Sequence, residues 1–354
     1  MSLNVAVTGL HAADNPAPGI GVIRCLHHPE RWGGKIIGLA YDALDTGIYD
    51  EGLLGHAYLI PYPNSGSQAL LERLLYIHEQ QHIDVIIPTL DSELPVFQKL
   101  EQTLKSNGIA MFIPPKQVTD LISKAKLADL CEKVGIPFPE TKVIKEPGEL
   151  KDAVKEIGFP LMIKGIYYEA YTCNTLADVQ QNFDKIRLKW GLPIILQKKI
   201  ESEEFDVCCV CDENSDLLGA VPIRKTRLTD KGKAWAAVTL RNKQLLELSA
   251  NVLKHIRWIG PCEVEILKNV KTGEYNLIEI NPRFPAWIYL CTGADQNLPR
   301  LVVELARGKS LKPLEIAKSG ICFVRHAIDL VCPLDYIENL TTLGELHFSM
   351  SKEH

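Results

Sequence analysis

Two largely apolar, strand-like stretches carry polar side chains that could do chemistry: Glu263 and Glu265 in CEVEIL, and Glu279, Asn281 and Arg283 in YNLIEINPRF. Side chains alternate faces along a strand, so Glu263 and Glu265 share one face, as do Leu277, Glu279 and Asn281. The intervening NVKTGEY carries a Thr-Gly turn signal and suggests an antiparallel hairpin centred near Thr272. That register places Glu265 opposite Glu279. Two opposed carboxylates repel unless a cation sits between them. Hard oxygen donors of this kind suit Mg²⁺, which takes one or two carboxylates and completes its shell with water and phosphate. The competing reading is a solvated hairpin face.

Other residues are candidates to complete such a site. Lys164 ends the apolar strand GFPLMIKG, where its charge could meet phosphate. Lys124, in SKAKLADLCEKVGIPFP, is expected near the start of a helix, a poor place for a cation unless an anion is close. Gln197 closes the strand PIILQKKI, with Glu204 beyond it. RKTRLTDKGK supplies Arg224, Lys225, Arg227, Lys231 and Lys233, either facing phosphate or substrate or forming a solvated basic loop. His11 follows the first strand and could lie near an acceptor. Cys208, Cys209 and Cys211 alternate within an apolar run; they read as buried thiols rather than metal ligands, since no second Cys or His cluster lies at zinc spacing.

The elements that must position these residues fall into three units. The first alternates strands (NVAVTG, KIIGLAYD, DVIIPT, AMFIPP) with helices (GIGVIRCLHH, ALLERLLYIHEQQH, ELPVFQKLEQTLKSNG), as a doubly wound parallel sheet does. The second holds a helix over VTDLISKAKLADLCEKVGIPFPE, another over ELKDAVKEIG, the strand FPLMIKG and the helix ADVQQNFDKIRLKWG. The third is richer in strands and begins around PIILQKKI. Three domains are expected: 1–115, 116–196 and 197–354. A net charge of −5 disfavours a general nucleic-acid binder. No apolar run is long enough to span a bilayer, and MSLNVAVTGL enters a strand without a signal-peptide pattern, so a reducing cytoplasm is the expected compartment.

The order of these motifs resembles the ATP-grasp superfamily, and most closely its carbamoyl-phosphate-synthase-like carboxylate–amine ligases. DVIIPTLDSELPVF resembles the domain that precedes the ATP-grasp fold; SKAKLADLCEKVGIPFP and GFPLMIK resemble the two lysine elements. GPCEVEIL with YNLIEINPRF resembles the metal-binding pair, and TGADQNLPRLVVELARGK the segment after it. The resemblance implies an α/β chain: an N-terminal doubly wound parallel-sheet domain, then a two-lobed ATP-grasp fold. It implies that Lys124 and Lys164 contact ATP phosphates, and that Gln197 sits beside adenine with backbone groups of Lys198 and Ile200. Glu204 would hold the ribose, and Glu265, Glu279 and Asn281 one or two Mg²⁺ ions, with Mn²⁺ as a substitute. Arg283 would stabilise the transferred phosphoryl group.

Two departures stand out. Gln197 stands where the family commonly has Glu, and GIYYEAYTC replaces a glycine-rich flap; its tyrosines either cover the nucleotide or acceptor, or pack, with packing favoured. The implied reaction phosphorylates a carboxylate and lets an amine displace phosphate, so the partners are a small carboxylate and a small amine of amino-acid or peptide type. A homodimer is expected only as a prior. The alternatives are a carboxylate or alcohol kinase and a non-catalytic ATP-binding protein. Nicotinamide binding is disfavoured, because Gly19 and Gly21 do not complete the dinucleotide fingerprint and Pro16 and Pro18 interrupt it.

Overall fold

The computed structural model describes residues 3–12, 16–166, 169–229, 232 and 234–348. Lys231 and Lys233 of the basic loop, and Tyr167 and Tyr168 of the tyrosine-rich loop, lie outside the described residues.

Three sheets carry the fold. In the first, β1 (Val5–Val7), β2 (Ile36–Ala40), β3 (His56–Leu59) and β4 (Val85–Ile87) run parallel in the order β3-β2-β1-β4. This is the expected doubly wound arrangement. The strands are buried on both faces, which is why they read as continuous apolar runs. AMFIPP is not a strand: it makes one isolated bridge, Val85 to Ala110. β3 was not anticipated. A C-terminal strand, β15 (Glu345–His347), pairs antiparallel with β3 and covers the edge.

Strand order reverses between β1 and β4, the crevice where open α/β sheets usually bind ligands. Here the chain's own Glu93 carboxylate fills it. It accepts the amides of Thr89 (2.7 Å) and Leu90 (2.9 Å) and the hydroxyls of Thr8 and Tyr41. Gly9 follows β1 at φ +65°, and a Cβ there would fall 2.2 Å from Thr89 Oγ1.

The second sheet is antiparallel, in the order β5 (Thr141–Ile144), β8 (Ile194–Lys198), β6 (Leu161–Gly165), β7 (Ala170–Cys173). Leu161, Ile163, Ile194 and Leu196 pack with the helices Leu150–Ile157 and Leu176–Trp190. Alternation therefore turns Met162, Lys164, Ile195 and Gln197 to the opposite face. β8 belongs to this sheet, so the expected division after residue 196 falls inside a strand. The long helix expected around Lys124 is two short ones, Lys116–Thr119 and Leu127–Val134, and Lys124 lies in the turns between them.

The third sheet is antiparallel, in the order β13 (Tyr275–Asn281), β12 (Gly260–Asn269), β9 (Ser202–Cys211), β10 (Leu217–Leu228), β11 (Ala234–Thr239), β14 (Cys322–Val324). Phe205, Val207, Cys209, Cys262 and Val264 bury one face with the helices Leu127–Val134 and Lys243–His255. Cys208, Val210, Val221 and Ile223 occupy the other, packed with Trp287 and Ile288. All three cysteines of β9 are fully buried, and burial pushes the thiols of Cys208 and Cys211 upward. Among the described residues no cluster of three His, Cys, Asp or Glu is arranged to hold a metal.

Candidate active site

The hairpin register matches the sequence expectation: Glu265 stands opposite Glu279, and Glu263 opposite Asn281. One detail differs. The register shifts after Glu265, so Ile266 pairs with Leu277 and Ile278 is the extra residue. Such a bulge reverses the facing of the residues on its far side, and Leu277 turns into the core instead of sharing the Glu279 face.

Each acidic group has a different environment. Glu263 accepts three hydrogen bonds. Trp287 Nε1 donates to one oxygen at 2.7 Å, and Arg283 Nη1 (2.9 Å) and Asn281 Nδ2 (3.1 Å) donate to the other. Its three donors come from the end of β13 and the loop after it, which makes it a scaffold for those groups. Asn281 Nδ2 also donates to Glu265 Oε1 at 2.8 Å, which leaves the amide oxygen to face away from both carboxylates. Glu279 Oε1 lies 3.3 Å from Lys124 Nζ.

A second cluster adjoins on β9 and β10. Lys225, only 6% exposed in its side chain, sits 3.1 Å from Asp206, 3.5 Å from Glu265 and 3.6 Å from Glu204. Of the basic loop's candidates, it alone joins this carboxylate cluster among the described residues; Arg224 faces outward and pairs with Glu203. Asp206 Oδ1 is buried and, apart from this ion pair, accepts no well-directed hydrogen bond. Sequence reading did not single out Asp206. Its signal was one acidic residue inside FDVCCVCD, paired in register with Glu265.

Titration reflects these contacts. Burial raises the Asp206 carboxyl well above its usual range, and Glu263 and Glu265 add to the rise. Burial also favours a neutral Glu265, but Lys225, the Asn281 hydrogen bond and Arg283 outweigh it and hold that carboxyl low. Glu279 is raised by burial and by Glu265, with Lys124 opposing. Glu279 keeps 31% of its side chain exposed, so solvent screens part of that rise. The two facing carboxylates are thus pushed apart in acidity, which is what an unshared pair of like charges does. Burial opposes charge on Lys225, yet the surrounding carboxylates raise its ammonium well above the ordinary lysine range.

On the facing sheet, Lys164 Nζ donates to Gln197 Oε1 at 2.7 Å, and Gln197 Nε2 donates to Thr141 Oγ1 at 3.0 Å. Burial lowers the Lys164 ammonium despite nearby Glu279, Glu265 and Glu204. Lys124, Lys164, Glu204, Glu265 and Glu279 therefore share one electrostatic neighbourhood. At Lys198 the amide donates to Glu140 O at 2.8 Å, which leaves the carbonyl as the backbone group open for the expected contact. Ile200 lies two residues beyond the strand. Tyr171 packs under Lys185, whose Nζ lies 4.5 Å from the ring centre. His11 is exposed, 3.8 Å from Asp45. Arg283 also reaches Asp91 at 3.2 Å, tying the site to the first sheet's loop after β4.

The donor set fits a hard cation. Glu265 and Glu279 face each other on adjacent strands, and the Asn281 oxygen is not committed to either carboxylate. Lys124 lies 3.3 Å from Glu279 and Lys225 3.5 Å from Glu265.

Residues 192–324 match the family described as ATP-grasp in the biosynthetic pathway with Ter operon. Among curated proteins, acetyl-CoA carboxylase 1 of Oryza sativa subsp. japonica is 23% identical over 292 residues, 70% of this chain and 12% of that protein. The carbamoyl phosphate synthase large chain of Deinococcus radiodurans is 22% identical over 272 residues, 70% of this chain and 25% of that one. The chain thus spans a quarter or less of these relatives' length. Among solved structures, the biotin carboxylase domain of Hydrogenobacter thermophilus 2-oxoglutarate carboxylase, with MgADP and bicarbonate, superposes with a TM-score of 0.67 at 18% identity, covering 87% of this chain and 70% of that one. An L-amino acid ligase from Bacillus licheniformis gives 0.65 at 13% identity, covering 88% and 75%.

Proposed function

We propose, on the premise that this chain is an ATP-grasp protein, that it is an ADP-forming ligase that activates a carboxylate as an acyl phosphate and joins it to an amine. One observation carries this reading: Glu265 and Glu279 face each other in register, with Asn281 beside them and Lys124 and Lys164 arriving from other elements.

In this reading Glu265, Glu279 and Asn281 hold Mg²⁺, or Mn²⁺ in its place. When bound, the ion withdraws charge from the β- and γ-phosphates. Lys124 and Lys164 neutralise the remaining phosphate oxygens. Gln197, the Lys198 carbonyl and Ile200 line the adenine, and Glu204 accepts the ribose hydroxyls. Arg283, fixed by Glu263 and Asp91, faces the transferred phosphoryl group; burial opposes its charge, but those two carboxylates raise its affinity for the proton. Little covalent chemistry falls to the protein. Positioning and charge neutralisation dominate phosphoryl transfer. An acyl phosphate hydrolyses readily, so the two antiparallel sheets must exclude water while the amine attacks. We assign the reaction to the cytoplasm and treat a homodimer as the oligomeric proposal.

The test measures ADP release with pairs of candidate carboxylates and amines and identifies the condensed product by mass. Amine-dependent ADP release with a new C–N product supports the reading. A phosphorylated acid that accumulates without any amine requirement would replace it with a kinase.

A further inference from the structure

We infer that the first sheet carries a metal site of its own: His56 and His347, facing each other across β3 and β15, take one late first-row divalent cation of the Cu²⁺ or Ni²⁺ kind. The inference is independent of the ligase reading, and its test uses no turnover.

β15 pairs antiparallel with β3, and His347 stands directly opposite His56. The amides of Leu59 and Phe348 donate to the carbonyls of Gly344 and Gly55, at 2.8 and 3.2 Å. Alternation between those two contacts makes His56 and His347 a non-hydrogen-bonded pair, the kind whose side chains approach most closely. Their Nδ1 atoms lie 3.0 Å apart, with the ring planes at 71°. Without an ion, one Nδ1 carries a proton and donates it to the other. Moving that proton to the same ring's Nε2 costs no proton from the pair and leaves two lone pairs converging on one point. An ion about 2.05 Å from each nitrogen would then subtend an angle of about 94°. That is close to the right angle between neighbouring positions of a tetragonal Cu²⁺ or Ni²⁺ centre, whereas tetrahedral Zn²⁺ would need the nitrogens about 3.3 Å apart.

The surroundings favour ligation through these atoms. Burial, Lys35 and His347 lower the pKa of His56 to about 4, so its ring is neutral at neutral pH and keeps a lone pair. Lys35 itself donates to Gln81 Oε1 at 2.9 Å. Glu345 Oε2 lies 3.6 Å from His347 Nε2 and favours a proton on that nitrogen, while Tyr76 donates to Glu345 Oε1 at 3.2 Å. A carboxylate behind the second nitrogen is the usual companion of a metal-bound imidazole. The Tyr58 ring meets His347 edge-on at 5.6 Å and restricts its plane. Neither histidine is buried, so an ion can enter from solvent. The pair supplies two ligands and water completes the shell, in keeping with the lack of a three-residue cluster among the described residues. Such an ion would clasp the three-residue β15 to the sheet edge it covers.

The experiment titrates the full chain with Cu²⁺, with Mg²⁺ in excess to occupy the hard-oxygen donors of the candidate active site, and follows it by calorimetry, melting temperature and electron paramagnetic resonance. One ion per chain should bind with a two-nitrogen hyperfine pattern, and the melting temperature should rise with added Cu²⁺. Glu345→Gln should weaken binding by about 10–100-fold, and His56→Ala and His347→Ala by more, each with one nitrogen lost from the pattern. His56→Ala leaves β15 unaltered, so a loss in both variants separates ligation from docking of that strand. His82→Ala, which removes a ring packed against His78 at 5.2 Å, should change nothing. An unchanged spectrum in His56→Ala or His347→Ala overturns the assignment. So does a wild-type protein that binds no Cu²⁺, shows a single-nitrogen pattern, or loses its ion in His82→Ala.

Discussion

Replacing Lys225 by Met would test whether the carboxylate cluster is held together from within. The ammonium lies 3.1 Å from Asp206 and 3.5 Å from Glu265, both in a nearly dry setting, and 3.6 Å from Glu204, which is more exposed and screened. With an effective dielectric constant of about 20, each of the two shorter contacts is worth about 5 kcal/mol before desolvation is charged against it. Removing one partner of a buried ion pair typically costs about 3–5 kcal/mol, because the remaining charge is uncompensated. We therefore expect Lys225→Met to destabilise the fold around the third sheet by about 3–5 kcal/mol at pH 8. The loss should shrink toward pH 5. Asp206 has a raised folded pKa, so it takes up a proton more readily folded than unfolded, and falling pH stabilises the fold through that group. Fluorescence of the fully buried Trp258, which lies in the core behind this sheet, reports the relevant transition in chemical denaturation. Adding Asp206→Asn to Lys225→Met should restore part of the loss. A deficit under about 1 kcal/mol, or one that neither low pH nor the double substitution relieves, would refute the argument.

Three further outcomes are expected of the site. Glu279→Gln should lower ADP release at least about a hundredfold while leaving the melting temperature within a few degrees, since it also relieves repulsion from Glu265; near-wild-type turnover would remove Glu279 from the metal set. Asn281→Ala deprives Glu263 and Glu265 of a donor at once and should cost about 1–3 kcal/mol, read by denaturant titration, in addition to abolishing turnover. Lys164 has a folded pKa lowered by burial, so MgATP affinity should fall with rising pH below the ordinary lysine range. Stability should rise over that same window, because the unfolded chain then binds the extra proton; Lys164→Met should flatten both trends in calorimetric titrations.

Much of this was legible in the chain itself. Alternation and a Thr-Gly turn suffice to bring Glu265 opposite Glu279, because both are local consequences of strand geometry. The parallel first sheet was visible in its unbroken apolar runs. Local pattern failed where pairing is long-range or short. β3, HAYL, lacks the run of branched aliphatic residues that marks VAV, IIGLA and VII in its neighbours, and β15 forms solely by adding to β3's edge, so neither carries a clear local signal. The long helix expected through Lys124 gives way to turns between two short helices, and from those turns Lys124 reaches Glu279 at 3.3 Å, a contact no local propensity encodes.

Residue types along the chain determined which groups could serve as oxygen donors and which as cations, since strand periodicity fixes facing and spacing within one hairpin. Tertiary structure alone decided which of them are available. Glu263 and Glu265 are indistinguishable in CEVEIL, yet Trp287, Arg283 and Asn281 engage the first while the second faces Glu279 and Lys225. Asp206 acquires its meaning only from burial and its contact with Lys225, because the cost of a charge depends on the water around it and not on its neighbours in sequence.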